Sequence, residues 1–199
     1  MKYISMEKQE WEREPDAAAL EHAGTLGDSE AKSEYEALAE KGSVLSMINL
    51  GHLSEYRKIQ DGGPDFTGAE IWYRRAVDAG SAVATFHLGC FYFRRKNYTN
   101  TWRELMVGLE RGYAPSIVRL AYLYIDGIGV KRDHAQARIF MRRASELGNL
   151  WAKRGLARME FNVGENLYVK IKGAATYICA RVQFFFEERR DPNSERLRK

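Results

Sequence analysis

The stretch LYIDGIGVKRDHAQARIFMRRASELGN, residues 123–149, decides the fold. It holds Gly127 and Gly129 in a short loop, flanked by Asp126 and Asp133. Ala137 and Ala144 follow, seven residues apart, and Gly148 closes it. Two readings compete, a loop that cradles phosphate and a joint between helices. A phosphate loop needs a preceding strand, a wider glycine spacing, and a lysine followed by a hydroxyl at the helix start. Here a helix-compatible run comes first, and GIGVKRD has neither Ser nor Thr. Its aspartate at the next helix N-terminus would also repel a phosphate. A joint, by contrast, should recur along the chain.

It does recur once the glycines are aligned. Gly42, Gly80, Gly112 and Gly148 each precede a two-residue signature by eight positions: Leu50-Gly51, Leu88-Gly89, Leu120-Ala121 and Leu156-Ala157. Counting back from the closing glycine, small residues stand at four and eleven positions: Ala76 and Ala69, Gly108 and Thr101, Ala144 and Ala137. Seven residues are two helical turns, so each pair shares a face on which a neighbouring helix can approach closely. Trp72, Leu105 and Phe140 are expected to fill the gaps between them. Fifteen back stand Asp65, Asn97 and Asp133, suited to cap a helix N-terminus. The closing glycine suits a left-handed helix end. Each unit therefore reads as helix A, a loop, helix B and a glycine stop.

The combined pattern resembles the Sel-one-like repeat family, a branch of the tetratricopeptide-like solenoids. AVATFHLGCFY (82–92) carries the first half of the repeat, and DGIGVKRDHAQARIFMRRASELG (126–148) the second. AEIWYRRAVDAG (69–80) has the aromatic-basic-basic-alanine run. The resemblance implies an all-α fold of the α/α superhelix class, a right-handed solenoid of antiparallel helix pairs. Residues 1–27 read as an acidic, partly helical N-terminal cap, 28–186 as about four repeats, and 187–199 as a polar, charged tail. Some units depart from the pattern. The loop QDGGPD is long, RRKNYTNT has lost its glycines, and the last unit has Phe184 where a closing glycine belongs. Its helix should run on and cap the array.

Composition narrows the function. Of 199 residues, 45% are apolar and 29% charged, the balance of a folded protein. Two cysteines, Cys90 and Cys179, are too few for a disulfide framework and suit a reducing compartment. Without a signal-like start or a run of membrane-spanning length, a cytoplasmic location is expected. Residues 1–42 carry 11 acids and 5 bases, so the net charge of +4 rests on an excess of bases in the remainder. Those bases are scattered in pairs without a nucleic-acid-binding motif, so no nucleic acid partner is expected.

No Ser–His–acid arrangement is legible, and no cofactor or metal site is expected. His52 and Cys90 occupy equivalent positions on neighbouring A helices, but the next equivalents, Tyr122 and Arg158, supply no further ligand. Some cysteine-rich relatives are credited with hydrolysis, yet they carry a cysteine pair per repeat, which this chain lacks. The resemblance instead implies a non-catalytic adaptor that holds a partner segment along its A helices. Groove positions carried over from that family fall at Leu45, Ile48, His52, Glu55 and Tyr56, then at Phe86, Cys90, Phe93 and Arg94. They continue at Val118, Tyr122, Ile125 and Asp126, and at Trp151, Arg154, Arg158, Phe161 and Asn162. The partner-contacting set is His52, Glu55, Tyr56, Arg94, Tyr122, Asp126, Trp151, Arg154 and Arg158. Its arginines suit an acidic peptide or a terminal carboxylate. Phe184, Phe185 and Phe186 cannot share one helix face. They are either part of the cap or, with Arg181, Arg189 and Arg190, a docking surface within 174–190 for a partner or a membrane.

Overall fold

The computed structural model describes residues 6–56, 63–163 and 167–190. The described residues form helices and no strands. The helices are α1 (Met6–Trp11), α2 (Ala17–Ala23), α3 (Asp28–Glu40), α4 (Val44–Tyr56), α5 (Phe66–Asp78) and α6 (Ala82–Arg94). They continue with α7 (Tyr98–Glu110), α8 (Ala114–Asp126), α9 (His134–Glu146), α10 (Leu150–Val163) and α11 (Leu167–Arg190). Two compact units result: residues 6–97 with α1 to α6, and residues from Tyr98 onward with α7 to α11. Within each, helices adjacent in sequence pack on one another. The A helices of the repeat are α4, α6, α8 and α10.

The closing glycines work as expected, and their neighbours add a function of their own. Gly42, Gly80, Gly112 and Gly148 adopt φ of 92°, 92°, 76° and 86°, a conformation open to glycine and costly for side chains. The amide of the next residue then bonds five residues back: Ser43 to Leu38, Ser81 to Ala76, Tyr113 to Gly108 and Asn149 to Ala144. Three of these residues also cap the helix they begin. Ser43 Oγ accepts from the Ser46 amide, Ser81 Oγ from Ala84, and Asn149 Oδ1 from Ala152. Two residues thus end one helix and start another.

The small residues Ala69, Ala76, Thr101, Ala137 and Ala144 are fully buried, and Gly108 is buried beside them. The bulky partner differs from expectation in two units. Trp72 and Phe140 are only half-buried, whereas Tyr73, Leu105 and Met141, seven residues before the closing glycine, lie in the core. Positions eleven, seven and four before the glycine share one face at helical spacing, and positions eight before it sit a third of a turn away. Asp65 and Asp133 cap α5 and α9, Asp133 accepting from both Ala135 and Gln136.

The loop 126–133 is a joint. Gly127 and Gly129 both adopt φ of 71°, and the Gly127 and Ile128 amides bond back to Leu123. At the N-terminus α2 covers only part of the expected cap, and Glu10 of α1 reaches the start of α6. There it accepts from the Ser81 hydroxyl at 2.8 Å and the Ala82 amide at 3.0 Å. At the other end α11 runs unbroken for 24 residues, carrying the helix past 186 to Arg190. The tail 191–199, the first half of the QDGGPD loop and the side chain of Asn162 lie outside the described residues.

Candidate interaction surface

The first-unit members of the partner-contacting set, His52, Glu55, Tyr56 and Arg94, are brought together, joined directly or through Tyr73. Arg94 grips Glu55 with two hydrogen bonds of 2.6 Å. Glu55 is 5% exposed, so its carboxylate is committed to this internal pair. Tyr73 donates its hydroxyl to Glu55 at 3.1 Å, and His52 Nδ1 stands 3.1 Å from the same hydroxyl. A carboxylate only accepts, so Tyr73 must spend its proton there, and its oxygen receives the Nδ1–H of His52. The other nitrogen of His52 faces His87 Nδ1 at 3.1 Å. Burial, reinforced by Glu55, raises the Tyr73 hydroxyl well above the usual tyrosine range and keeps it protonated. Arg94 also lies over the Tyr56 ring, 5.2 Å from its centroid, with Tyr56 exposed. His52 therefore pairs with His87 and Tyr73. No group of three or more potential metal ligands occurs among the described residues.

The second-unit members, Tyr122, Asp126, Trp151, Arg154 and Arg158, also cluster, but more openly. Arg154 lies 3.9 Å from the centre of the Trp151 ring and 5.1 Å from that of Phe184. Trp151 and Phe184 meet at 90°, with centroids 5.6 Å apart. Burial raises the pKa of Tyr122. Arg154, Arg119 and Arg158 oppose the rise and Asp126 adds to it, so these four charged groups act on its hydroxyl. Beside Tyr122, between α8, α9 and α10, opens a cleft of about 440 Å³. Ile125, Met141 and Met159 give it apolar walls, and Arg138 and Arg158 line it as well. A second cleft of about 360 Å³, between α10 and α11, also touches Arg158, together with Phe161, Tyr177 and Ile178.

Sequence reasoning missed Tyr73, His87, Arg119, Arg138 and Gly155. A usable signal was present in the repeat register. Seven residues before each closing glycine stand Tyr35, Tyr73, Leu105 and Met141, and seven after stand Asn49, His87, Arg119 and Gly155. Where the structure records the pairing, these two positions face each other. Asn49 bonds to Tyr35, His87 stacks on Tyr73 at 6.4 Å, and Gly155 lies against Met141.

On α11, Phe184 belongs to the Trp151 cluster, while Phe185 and Phe186 are 48% and 65% exposed. Among the described residues no helix is long and apolar enough to cross a membrane.

Comparison with known proteins agrees with the repeat register. The Sel1 repeat profile matches residues 44–81 and 114–149 and omits the intervening unit, the one without its glycine loop. A search of curated proteins finds no significant match. Among solved structures, a Sel1 repeat protein from Oxalobacter formigenes superposes with a TM-score of 0.62 at 21% identity, over 85% of this chain and 74% of that one. A protective antigen of uropathogenic Escherichia coli with an SLR fold gives a TM-score of 0.58 at 21% identity. That match takes in 89% of this chain, which spans only 44% of the antigen. Sel1 repeats are typically mediators of protein interaction. Repeat register, helix pairing and profile converge: the chain carries Sel1 repeats at residues 44–81 and 114–149 and has a fold of the α/α superhelix class.

Proposed function

We propose that this protein is a non-catalytic adaptor that binds an acidic segment of another protein on the surface carried by α8, α10 and α11. The observation that supports this most is the arginine–aromatic cluster of the second unit. Arg154 packs against the Trp151 and Phe184 rings, and Arg158 is exposed and lines two clefts. Trp, Tyr and Arg dominate the energetics of protein interfaces, and pre-positioned guanidinium groups bind carboxylates with little loss of side-chain freedom. In the first unit the groove charges of Glu55 and Arg94 neutralise each other, which favours the second unit as the binding surface. The test is affinity purification of the full chain beside its Arg154→Glu, Arg158→Glu double variant. Partners should be captured by the wild type and lost from the variant. An identical set of captured proteins would sink the reading.

A second reading rests on α11. Ile171, Ile178, Val182 and Phe185, at spacings of seven, four and three, are all exposed, and Arg181 and Arg189 flank them. An apolar stripe bordered by cations fits the face of an anionic bilayer. Flotation with vesicles containing phosphatidylserine would carry the protein upward on this reading. Val182→Asp with Phe185→Asp would leave it at the bottom. Wild-type protein that stays at the bottom removes this reading.

A further inference from the structure

We infer that the cleft between α8, α9 and α10 is an anchor pocket for one apolar side chain of an acidic peptide, and that Gly155 is the residue that opens it. This rests on the adaptor reading above and specifies the chemistry of its ligand.

Gly155 is in the interior of α10, where glycine is a poor helix former compared with alanine. Packing explains two other helical glycines, Gly51 and Gly173. A Cβ on Gly51 would lie 2.5 Å from the Tyr73 ring, and one on Gly173 would press 3.0 Å from the Phe161 backbone. At Gly155 a Cβ would meet only the flexible end of Met141, at 3.4 and 3.5 Å. Helix packing therefore does not demand a glycine there. What the glycine provides is space, because the same register position is filled by Asn49, His87 and Arg119 in the other units. Met141, 1% exposed, forms the floor beneath it.

The walls define the occupant. Tyr122, Ile125 and Met159 suit an aliphatic or aromatic side chain, and about 440 Å³ exceeds the volume of a leucine side chain. Arg138 and Arg158 line the cleft, and Arg119, Arg154, Arg158 and Asp126 act on the Tyr122 hydroxyl. The Nε of Arg138 is buried without a hydrogen-bond partner. A segment bearing carboxylates on either side of its apolar residue complements this charge. The larger cleft on the first unit, about 520 Å³, lacks that character, since its Glu70, Arg74 and Tyr92 bond to one another.

The test uses the full chain and a fluorescent peptide of twelve residues, rich in Asp and Glu around one central leucine. Its siblings replace the leucine with serine, or every acid with its amide. Anisotropy titrations should show both siblings binding at least tenfold more weakly. Gly155→Leu fills the pocket, so with this variant the leucine and serine peptides should bind alike. Gly155→Ala should keep the leucine preference. Should Gly155→Leu fail to fold by circular dichroism, Met159→Glu provides the same test from the pocket wall, with an expected tenfold loss. Equal binding of leucine and serine peptides to the wild type would overturn the inference, as would a leucine preference that survives both variants. So would no binding of the leucine peptide at 1 mM. Leucine-independent binding that Arg154→Glu with Arg158→Glu abolishes would overturn the pocket alone and leave the adaptor reading standing.

Discussion

In the first unit, the position seven residues after the closing glycine is filled and bonded, Asn49 to Tyr35 and His87 onto Tyr73. In the second unit, the same position at α10 is Gly155, and a cleft opens above Met141. The charges follow suit. Arg94 is bound by a buried Glu55, whereas Arg154 and Arg158 stand among aromatic rings and at cleft edges. The same repeat can therefore be closed by internal bonds or left open at a surface cleft. At the position seven residues after the closing glycine the difference is a single side chain, present in Asn49 and His87 and absent in Gly155.

The largest effect should come from breaking the closed network. Arg94→Ala leaves Glu55 buried and charged, and should destabilise the protein by about 2–3 kcal/mol in urea unfolding. Glu55→Ala should cost less, because the Arg94 side chain is 37% exposed and can turn to water. Equal costs would mean that Glu55 is not held as a buried charge.

A sharper comparison sets two glycines against each other. Gly51→Ala drives a methyl group into the Tyr73 ring and should cost about 1–3 kcal/mol. Gly155→Ala gains helix propensity without a rigid clash and should stabilise by about 0.5–1 kcal/mol. Thermal melts reporting shifts of the same sign would contradict the distinction between a packing glycine and a space-making one.

Next comes the joint of residues 126–133. Asp133→Ala removes acceptance from two amides and should cost about 1 kcal/mol. The loss should appear as faster hydrogen exchange at the start of α9, with α5 unaffected.

The smallest effect is a pH dependence. Burial raises the pKa of Glu10 despite its bonds to Ser81, Val83 and Ala82. The folded state thus holds this proton more tightly than the unfolded chain does. Its contribution is fully present below the ordinary carboxylate pKa and is lost as pH rises through the folded value. Glu10→Gln should flatten the stability curve in the pH range just above the ordinary carboxylate pKa.

Much of this was legible in the sequence, because the joint obeys local rules. A glycine at a left-handed helix end, an aspartate cap and small residues seven apart each express a backbone or helix-face requirement within a few residues. The candidate surface was legible only in part. The register located Tyr122, Trp151, Arg154 and Arg158, but it could not reveal that Arg94 and Glu55 satisfy each other across 39 positions. Nor could it show that His52 meets His87.

The sequence by itself determined the repeat, its helix ends and its class, because each depends on interactions between near neighbours in the chain. Only the tertiary structure decided which side chains are spent on one another and which stand exposed at a cleft. That outcome depends on what each residue meets from the helix packed against it. At Gly155 it meets Met141 and open space.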